Sequence, residues 1–330
     1  MQILEAKYEI VTPIFIGGAD ANDKPELRPP SIKGALRFWW RALHWGRYLR
    51  EQDNDDIAAL NVLHEKEAEL FGAATRENRY GQGLFQLKLT DVKTQGIEKS
   101  WPKNNEGGAG FLGYGLDATQ SGDPHRKGIA NGTFTLQLGF KKTANEEHIQ
   151  QLEDTLIIWG MLGGLGSRAR RGFGSVAMTS LNGHSYRFDT TAAYFDAISQ
   201  RLNAFDPAPS MPIYTAFSQT SRIVDAGQGR DVKLLMNRLG DRYREARKRA
   251  GRGLNKLPFG LPLAGNYGEA DEDNRRAGSL LMHLHPVGNE YVSVITWLPA
   301  IFHPGYPSGN QLDFYCPVQA FIDSMEQVYP

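Results

Sequence analysis

Apolar and polar residues alternate from Ile3 to Thr12, the period of a half-buried strand. A loop from Pro13 to Pro30 follows, with the run GGADAND near its centre. From Ser31 to about Arg50 the period lengthens to that of a helix, and Asp55 to Phe71 predicts a second one. Gly83 to Val92 and Gly132 to Lys141 alternate again as strands. Between them, roughly Thr94 to Gly128 is a Gly- and Asn-rich insertion without periodicity, predicted irregular and mobile. Asn145 to Leu162 reads as a helix that runs into GGLGSRARRGFGS, and Ser175 to Leu181 as a strand. With the second helix set aside, the order strand, helix, strand, strand, helix, strand is that of a ferredoxin-like unit.

The rhythm breaks at Asp206 to Pro212 (DPAPSMP) and restarts. Ile213 to Val224 is strand-like and Asp231 to Arg249 is helical. Gly278 to Pro286 and Tyr291 to Pro299 form a hairpin, and Gln311 to Tyr329 a closing helix. The order of elements repeats, although the residues do not. The predicted fold class is α+β: two tandem ferredoxin-like domains, residues 1–205 with the long insertion and residues 206–330.

Composition narrows the function. Lys plus Arg and Asp plus Glu both number 37, so the formal net charge is zero. Any nucleic-acid binding must come from local clustering. The single cysteine, Cys316, forms no internal disulfide, and no Cys/His spacing suggests zinc, so a reducing cytoplasm is expected, with no metal or cofactor. The N-terminus lacks the apolar core of a signal peptide, and no run approaches the roughly 18 apolar residues of a membrane span.

Charge is clustered in three places. Pro29 to Arg50, PPSIKGALRFWWRALHWGRYLR, holds five Lys or Arg residues, and no acid lies between Leu27 and Arg50. At about 100° per residue, Lys33, Arg37, Arg41, His44 and Arg47 share one side, together with Trp40 and Tyr48. Ala35, Phe38, Trp39, Ala42 and Leu49 lie on the other. A cationic row carrying flat rings suits a nucleic-acid strand, because phosphates take the charge and bases stack on the rings. A solvated face is the ordinary alternative, but such faces usually carry acids at i,i+4. Ser31 is a good N-cap after Pro29-Pro30, which leaves free amides near Ile32 to Gly34 as a possible phosphate seat.

The second cluster is Gly163 to Gly174, whose five glycines bracket Arg168, Arg170 and Arg171. Glycines let main chain approach a phosphodiester backbone while the arginines neutralise it. Neither a Walker A loop nor a dinucleotide fingerprint fits, since the run follows a helix and precedes a strand. The third cluster, Arg222 to Lys256, includes Arg242 and Arg249 on a strongly basic helix. A solvated helix paired through its own acids is an equal alternative there.

Catalytic groups are sparse. Asp20 and Asp23 are ordinary loop turn formers. His44 sits among the cations of the first helix, where it could act as general acid or base in metal-free RNA cleavage. His283, His285 and His303 make no credible ligand set.

Thr12 to Leu43, TPIFIGGADANDKPELRPPSIKGALRFWWRAL, closely resembles the opening signature of the first-subunit family of Cmr complexes, RAMP-superfamily proteins of type III-B CRISPR effectors. Gly164 to Ser175 resembles the superfamily's Gly-rich loop. The resemblance implies two RRM-like, ferredoxin-like domains packed together. It implies a non-catalytic subunit among RAMP-type Cmr neighbours, at the end of a ribonucleoprotein filament near the 3′ end of the guide RNA, where it helps hold the guide and engage the target RNA. Carried over by position, the implied RNA contacts are Lys33, Arg37, Arg41, Arg168, Arg170 and Arg171. Trp40, His44, Tyr48, Arg242 and Arg249 rest on the residues alone. Two alternatives stay open: a metal-independent RAMP-type endoribonuclease that processes guide RNA through His44, and a purely architectural cap.

Overall fold

A computed structural model describes residues 2–17, 24–74, 81–96, 101–103, 106–116, 127–260, 277–301, 311–325 and 327–329. Asp20, Asp23 and His303 lie outside the described residues. The alternation at the N-terminus produces β1 (Ile3–Ile10), which buries Leu4, Ala6, Tyr8 and Ile10. It is the third strand of a five-stranded antiparallel sheet. With β2 (Phe85–Gly96), β3 (Ile129–Phe140), β4 (Val176–Leu181) and the short β5 (His184–Ser185), the order is β2-β3-β1-β4-β5. Tyr8 anchors the core beneath it, stacked on Phe134 at 5.3 Å and donating to the Leu156 carbonyl at 3.0 Å. The helices of this unit are α1 (Pro29–Glu51), α2 (Asp56–Phe71), α3 (Gly107–Leu112), α4 (Glu146–Leu162) and α5 (Thr191–Leu202). Asn145 starts α4 with a capping box closed by His148, and Asp55 caps α2.

The second sheet contains β6 (Arg222–Gly229), β7 (Leu280–Val287), β8 (Glu290–Trp297) and β9 (Gln327–Tyr329), in the order β7-β8-β6-β9. It carries α6 (Val232–Arg249), α7 (Gln311–Phe314) and α8 (Cys316–Asp323). Counting strands from the first of each unit, both sheets run 2-3-1-4, and the first adds one edge strand.

Three expectations need correction. Residues 213–221 are not a strand; β6 starts at Arg222. The preceding connector instead crosses α1, where Phe217 N–H donates to the Ala42 carbonyl (3.0 Å) and the Tyr214 ring meets Trp45 at 5.0 Å. Its apolar residues pack on a helix, which gives them a strand-like pattern without a strand partner. The closing helix is divided into α7 and α8, and the chain then pairs as β9 beside β6.

Part of the insertion, expected to be irregular, forms α3, which packs on α6. A Cβ on Gly108 would lie 2.0 Å from the Asn237 carbonyl, and one on Gly240 would lie 2.1 Å from that of Gly108. Only two glycines allow this approach. Asn237 Oδ1 accepts the Ala109 amide at 2.9 Å. Ala109, Leu112 and Leu116 are thereby buried in the second unit's core, with Leu235, Leu239 and Tyr243.

Candidate nucleic-acid interface

The first helix begins two residues earlier than its capping signal suggests. Arg28 is the N-cap residue, and Pro29 and Pro30 occupy the first helical turn, where proline's missing N–H costs nothing. The Ser31 and Ile32 amides both donate to the Arg28 carbonyl, at 3.0 and 3.2 Å. Ser31 is therefore not the cap, and the phosphate seat expected there is closed at Ile32.

α1 is buried on nearly every side, because α2 and α4 cover the side counted as basic. Trp40 is fully buried and donates from Nε1 to Gln151 Oε1 at 3.1 Å. His44 lies between Trp40 (4.9 Å) and Phe205 (5.5 Å), with Nδ1 on the Trp40 carbonyl at 2.8 Å. Burial pushes its pKa down to about 4, against the upward pull of that backbone bond. Tyr48 is buried as well. Trp40, His44 and Tyr48 thus present no exposed ring face to a strand.

The cations of this helix find acids, all but Glu51 supplied from outside it. Arg41 Nη1 lies 2.8 Å from Glu67 Oε2 and Arg37 Nη1 3.6 Å from Glu67 Oε1, both to the buried carboxylate of α2. Arg37 Nη2 also donates to the Phe71 and Gly72 carbonyls, closing the C-terminal end of α2. Arg47 pairs with Glu51 (2.7 Å) and Glu147 (2.6 Å), and Arg50 with Asp206 (2.7 Å). Lys33 lies over the Phe85 ring at 5.0 Å; burial and then the neighbouring Arg37 charge lower its pKa.

The Gly-rich loop runs between α4 and β4, held by main-chain bonds from Ser167 N–H to the Phe15 carbonyl (2.7 Å) and from Gly174 N–H to that of Pro13 (2.9 Å). Thr12 Oγ1 donates to the Gly172 carbonyl (2.6 Å) and accepts the Ser175 amide (2.8 Å). Ser175 Oγ in turn accepts the Leu284 amide at 3.1 Å. This buried pair ties the loop to the segment that follows β1 and to β7. Gly174 has φ +66°, and a Cβ there would lie 1.9 Å from the Leu165 carbonyl, so only glycine fits.

The three arginines of the loop diverge. Arg168 is exposed, at φ +63°, and its Nε and Nη2 both donate to the Tyr114 carbonyl, at 3.1 and 2.5 Å. A left-handed non-glycine residue costs about 1–2 kcal/mol, which these bonds help offset. Arg170 lies over the Phe38 ring of α1 at 4.8 Å and donates to the Gly278 carbonyl at 2.8 Å. Arg171 lies over Tyr243 of α6 at 4.4 Å. Arg170 and Arg171 thus clamp the two units, a role the spacing of the arginines does not suggest.

A cleft of about 550 Å³ opens where this loop meets α1, lined by Ser31, Ala35, Phe38, Gly164, Ser167 and Arg170 among others. The Lys33, Arg37 and Arg41 row lies well round the helix from Ala35 and Phe38. The structure therefore separates the two motifs that the sequence suggests act together: the loop meets the apolar side of α1, and the basic row meets α2. α6 stands elsewhere. Arg242 donates to the Ala226 carbonyl (3.2 Å), Arg244 pairs with Asp241 and Lys248 with Glu245, while Arg249 is exposed with no ion pair among the described residues. The groove that Arg242 and Arg249 line also holds Asp241, Glu245 and Asp313, which weakens its attraction for phosphate.

His283 and His285 are buried at the joint between the sheets. His283 Nδ1 is 2.7 Å from the Gly163 carbonyl, and its Nε2 is 3.2 Å from His285 Nδ1. Among the described residues, no three His, Cys, Asp or Glu side chains form a metal cluster, and no helix is long and apolar enough to cross a membrane.

A model of the RAMP superfamily matches residues 7–177, the span from β1 to β4 that contains both walls of the cleft. The chain belongs to the RAMP superfamily. It is 24% identical over 335 residues to CRISPR system Cmr subunit Cmr1-1 of Pyrococcus furiosus, covering 95% of this chain and 93% of that protein. Cmr1-2 of the same organism is 30% identical over 186 residues, covering 52% of this RAMP chain and 93% of the relative. The crystal structure of Cmr1 from Pyrococcus furiosus in its apo form superposes with a TM-score of 0.67 at 23% identity, covering 100% and 98% of the two chains. A chain of the type III-B Cmr-beta cryo-EM structure bound to cognate target RNA gives 0.55 at 11% identity, covering 97% and 99%.

Proposed function

We propose that this RAMP protein is a non-catalytic, RNA-binding subunit of a cytoplasmic type III-B CRISPR complex. There it holds the 3′ region of the guide RNA, engages the target RNA, and sits beside other RAMP-type Cmr subunits. The observation that carries the reading is the cleft between α1 and the Gly-rich loop, lined by Gly164, Ser167, Ala169 and Arg170 of the loop, while Arg168, between Ser167 and Ala169 in the chain, turns its guanidinium to the Tyr114 carbonyl. The Cmr names of its relatives support the same reading. The common 2-3-1-4 strand order supports tandem ferredoxin-like units, divided at residues 205 and 206. Lys33, Arg37 and Arg41 flank the site from the far side of α1, and Arg249 offers a remote phosphate contact on α6.

Arg168→Glu tests the reading at an exposed side chain of the loop. Fluorescence anisotropy on single-stranded RNA, without divalent metal, should show affinity several-fold weaker. The slope of log affinity against log salt should be shallower by about 0.7 for each phosphate that is no longer neutralised. Identical affinity and slope would remove RNA from the loop.

A further inference from the structure

The rings that the sequence offers for base stacking, Trp40 and Tyr48, are buried. Among the described residues one large aromatic side chain is strongly exposed: Tyr114, at 61%. It stands in the turn after α3, within the insertion between β2 and β3. That turn is firmly mounted. Gly113 N–H donates to the Ala109 carbonyl and Leu116 N–H to that of Gly113, both at 2.9 Å. A Cβ on Gly113 would lie 2.4 Å from Pro102 Cγ and 3.0 Å from Phe173 Cζ, so the turn rests on the Gly-rich loop itself. α3 is locked to α6 through Asn237.

The Tyr114 carbonyl accepts both Nε and Nη2 of Arg168. The Arg168 guanidinium is thus held on the main chain of the residue that carries the exposed phenol. Aromatic rings beside cations are the general apparatus for single strands: the cation takes phosphate and the ring takes a base face. We infer that Tyr114 is a base-stacking platform for single-stranded RNA, receiving the nucleotide next to the one whose phosphate meets Arg168. This rests on the RNA-binding reading above and extends it to a residue outside both sequence motifs.

Charge favours RNA over a protein partner. Lys233 lies over Trp101 at 5.5 Å, and Trp101 packs on Phe173 at 5.7 Å, so the basic surface continues from the loop onto α6. Arg238 is exposed there without an ion pair among the described residues. Leu234 is the one large apolar side chain that α6 exposes strongly.

The test uses the full chain and a single-stranded RNA carrying 2-aminopurine at successive positions. In the wild type, fluorescence should be quenched on binding at one position. Tyr114→Leu should weaken binding roughly tenfold, abolish that quench and leave the salt slope unchanged. Tyr114→Phe should behave as wild type, and Arg168→Glu should instead flatten the slope. Wild-type binding and quench by Tyr114→Leu, beside a weakened Arg168→Glu, would overturn the stacking role while the RNA reading stands. So would a Tyr114→Leu variant that binds RNA normally but fails to join a reconstituted complex, since that outcome makes the ring a protein contact. A wild-type chain that binds no RNA would sink both readings.

Discussion

Acidification from neutral to about pH 4 should remove several kcal/mol of stability, and the buried histidines should account for most of it. His283 Nδ1–H donates to the Gly163 carbonyl, which leaves Nε2 bare to accept from His285 Nδ1–H. Protonating either ring sets N–H against N–H or places an uncompensated charge in the joint. Burial pushes the His283 and His44 pKa values down to about 4, and that of His285 well below its ordinary value.

The direction follows from linkage. Below about pH 6.5 the unfolded chain binds protons that the folded chain refuses, so stability falls as pH falls through that window. A displacement from 6.5 to about 4 is worth about 3 kcal/mol for one group. That is a large share of an ordinary domain's stability. His283→Asn/His285→Phe keeps an amide donor for Gly163 and a ring against Tyr194, which stacks on His285 at 4.4 Å. Its urea midpoint should depend far less on pH between about 6.5 and 4 than the wild type's. Equal pH dependence in the two proteins would mean that the pair protonates freely when folded.

Replacing Arg37 and Arg41 by alanine should destabilise the fold by about 2–3 kcal/mol, whatever happens to RNA. Both guanidinium groups serve the buried Glu67, and Arg37 also closes the end of α2. Removing one side of a buried pair costs about 3–5 kcal/mol. The figure here is lower because each arginine is about one-third exposed. Reversal to glutamate would gather three carboxylates and cost more. Adding Glu67→Leu to the double-alanine variant should restore much of the stability, since the orphaned charge goes with it. A triple variant no more stable than the double one, or a double variant as stable as wild type, would refute this role. Weaker RNA binding on charge reversal at these positions is interpretable only beside a stability measurement.

Much of the architecture is legible in local pattern. β1, β3 and β4 read from alternation and α4 from its periodicity. Partnership across long sequence distance is not legible. The acid-free stretch around α1 suggests open cations, but Glu67, Glu147 and Asp206 arrive from α2, α4 and the connector. The 3.6-residue period of α1 sorts residues by side without saying how many sides are covered, so Trp40, His44 and Tyr48 pass for a surface. The insertion lacks periodicity because six residues suffice for α3 when two glycines bring it against α6. The Gly-rich loop is plain in the sequence, but which of its arginines faces solvent depends on Phe38 and Tyr243, far away in the chain.

The most direct test of the central claim, that RNA lies in the cleft between α1 and the Gly-rich loop, is photocrosslinking. Single-stranded RNA carrying 4-thiouridine would be irradiated with the full chain and the attached peptides mapped by mass spectrometry. Crosslinks within residues 163–174 and along the Ser31 to Trp39 wall are the predicted result. Crosslinks confined to the outer face of α6 or to the α1–α2 edge would contradict it.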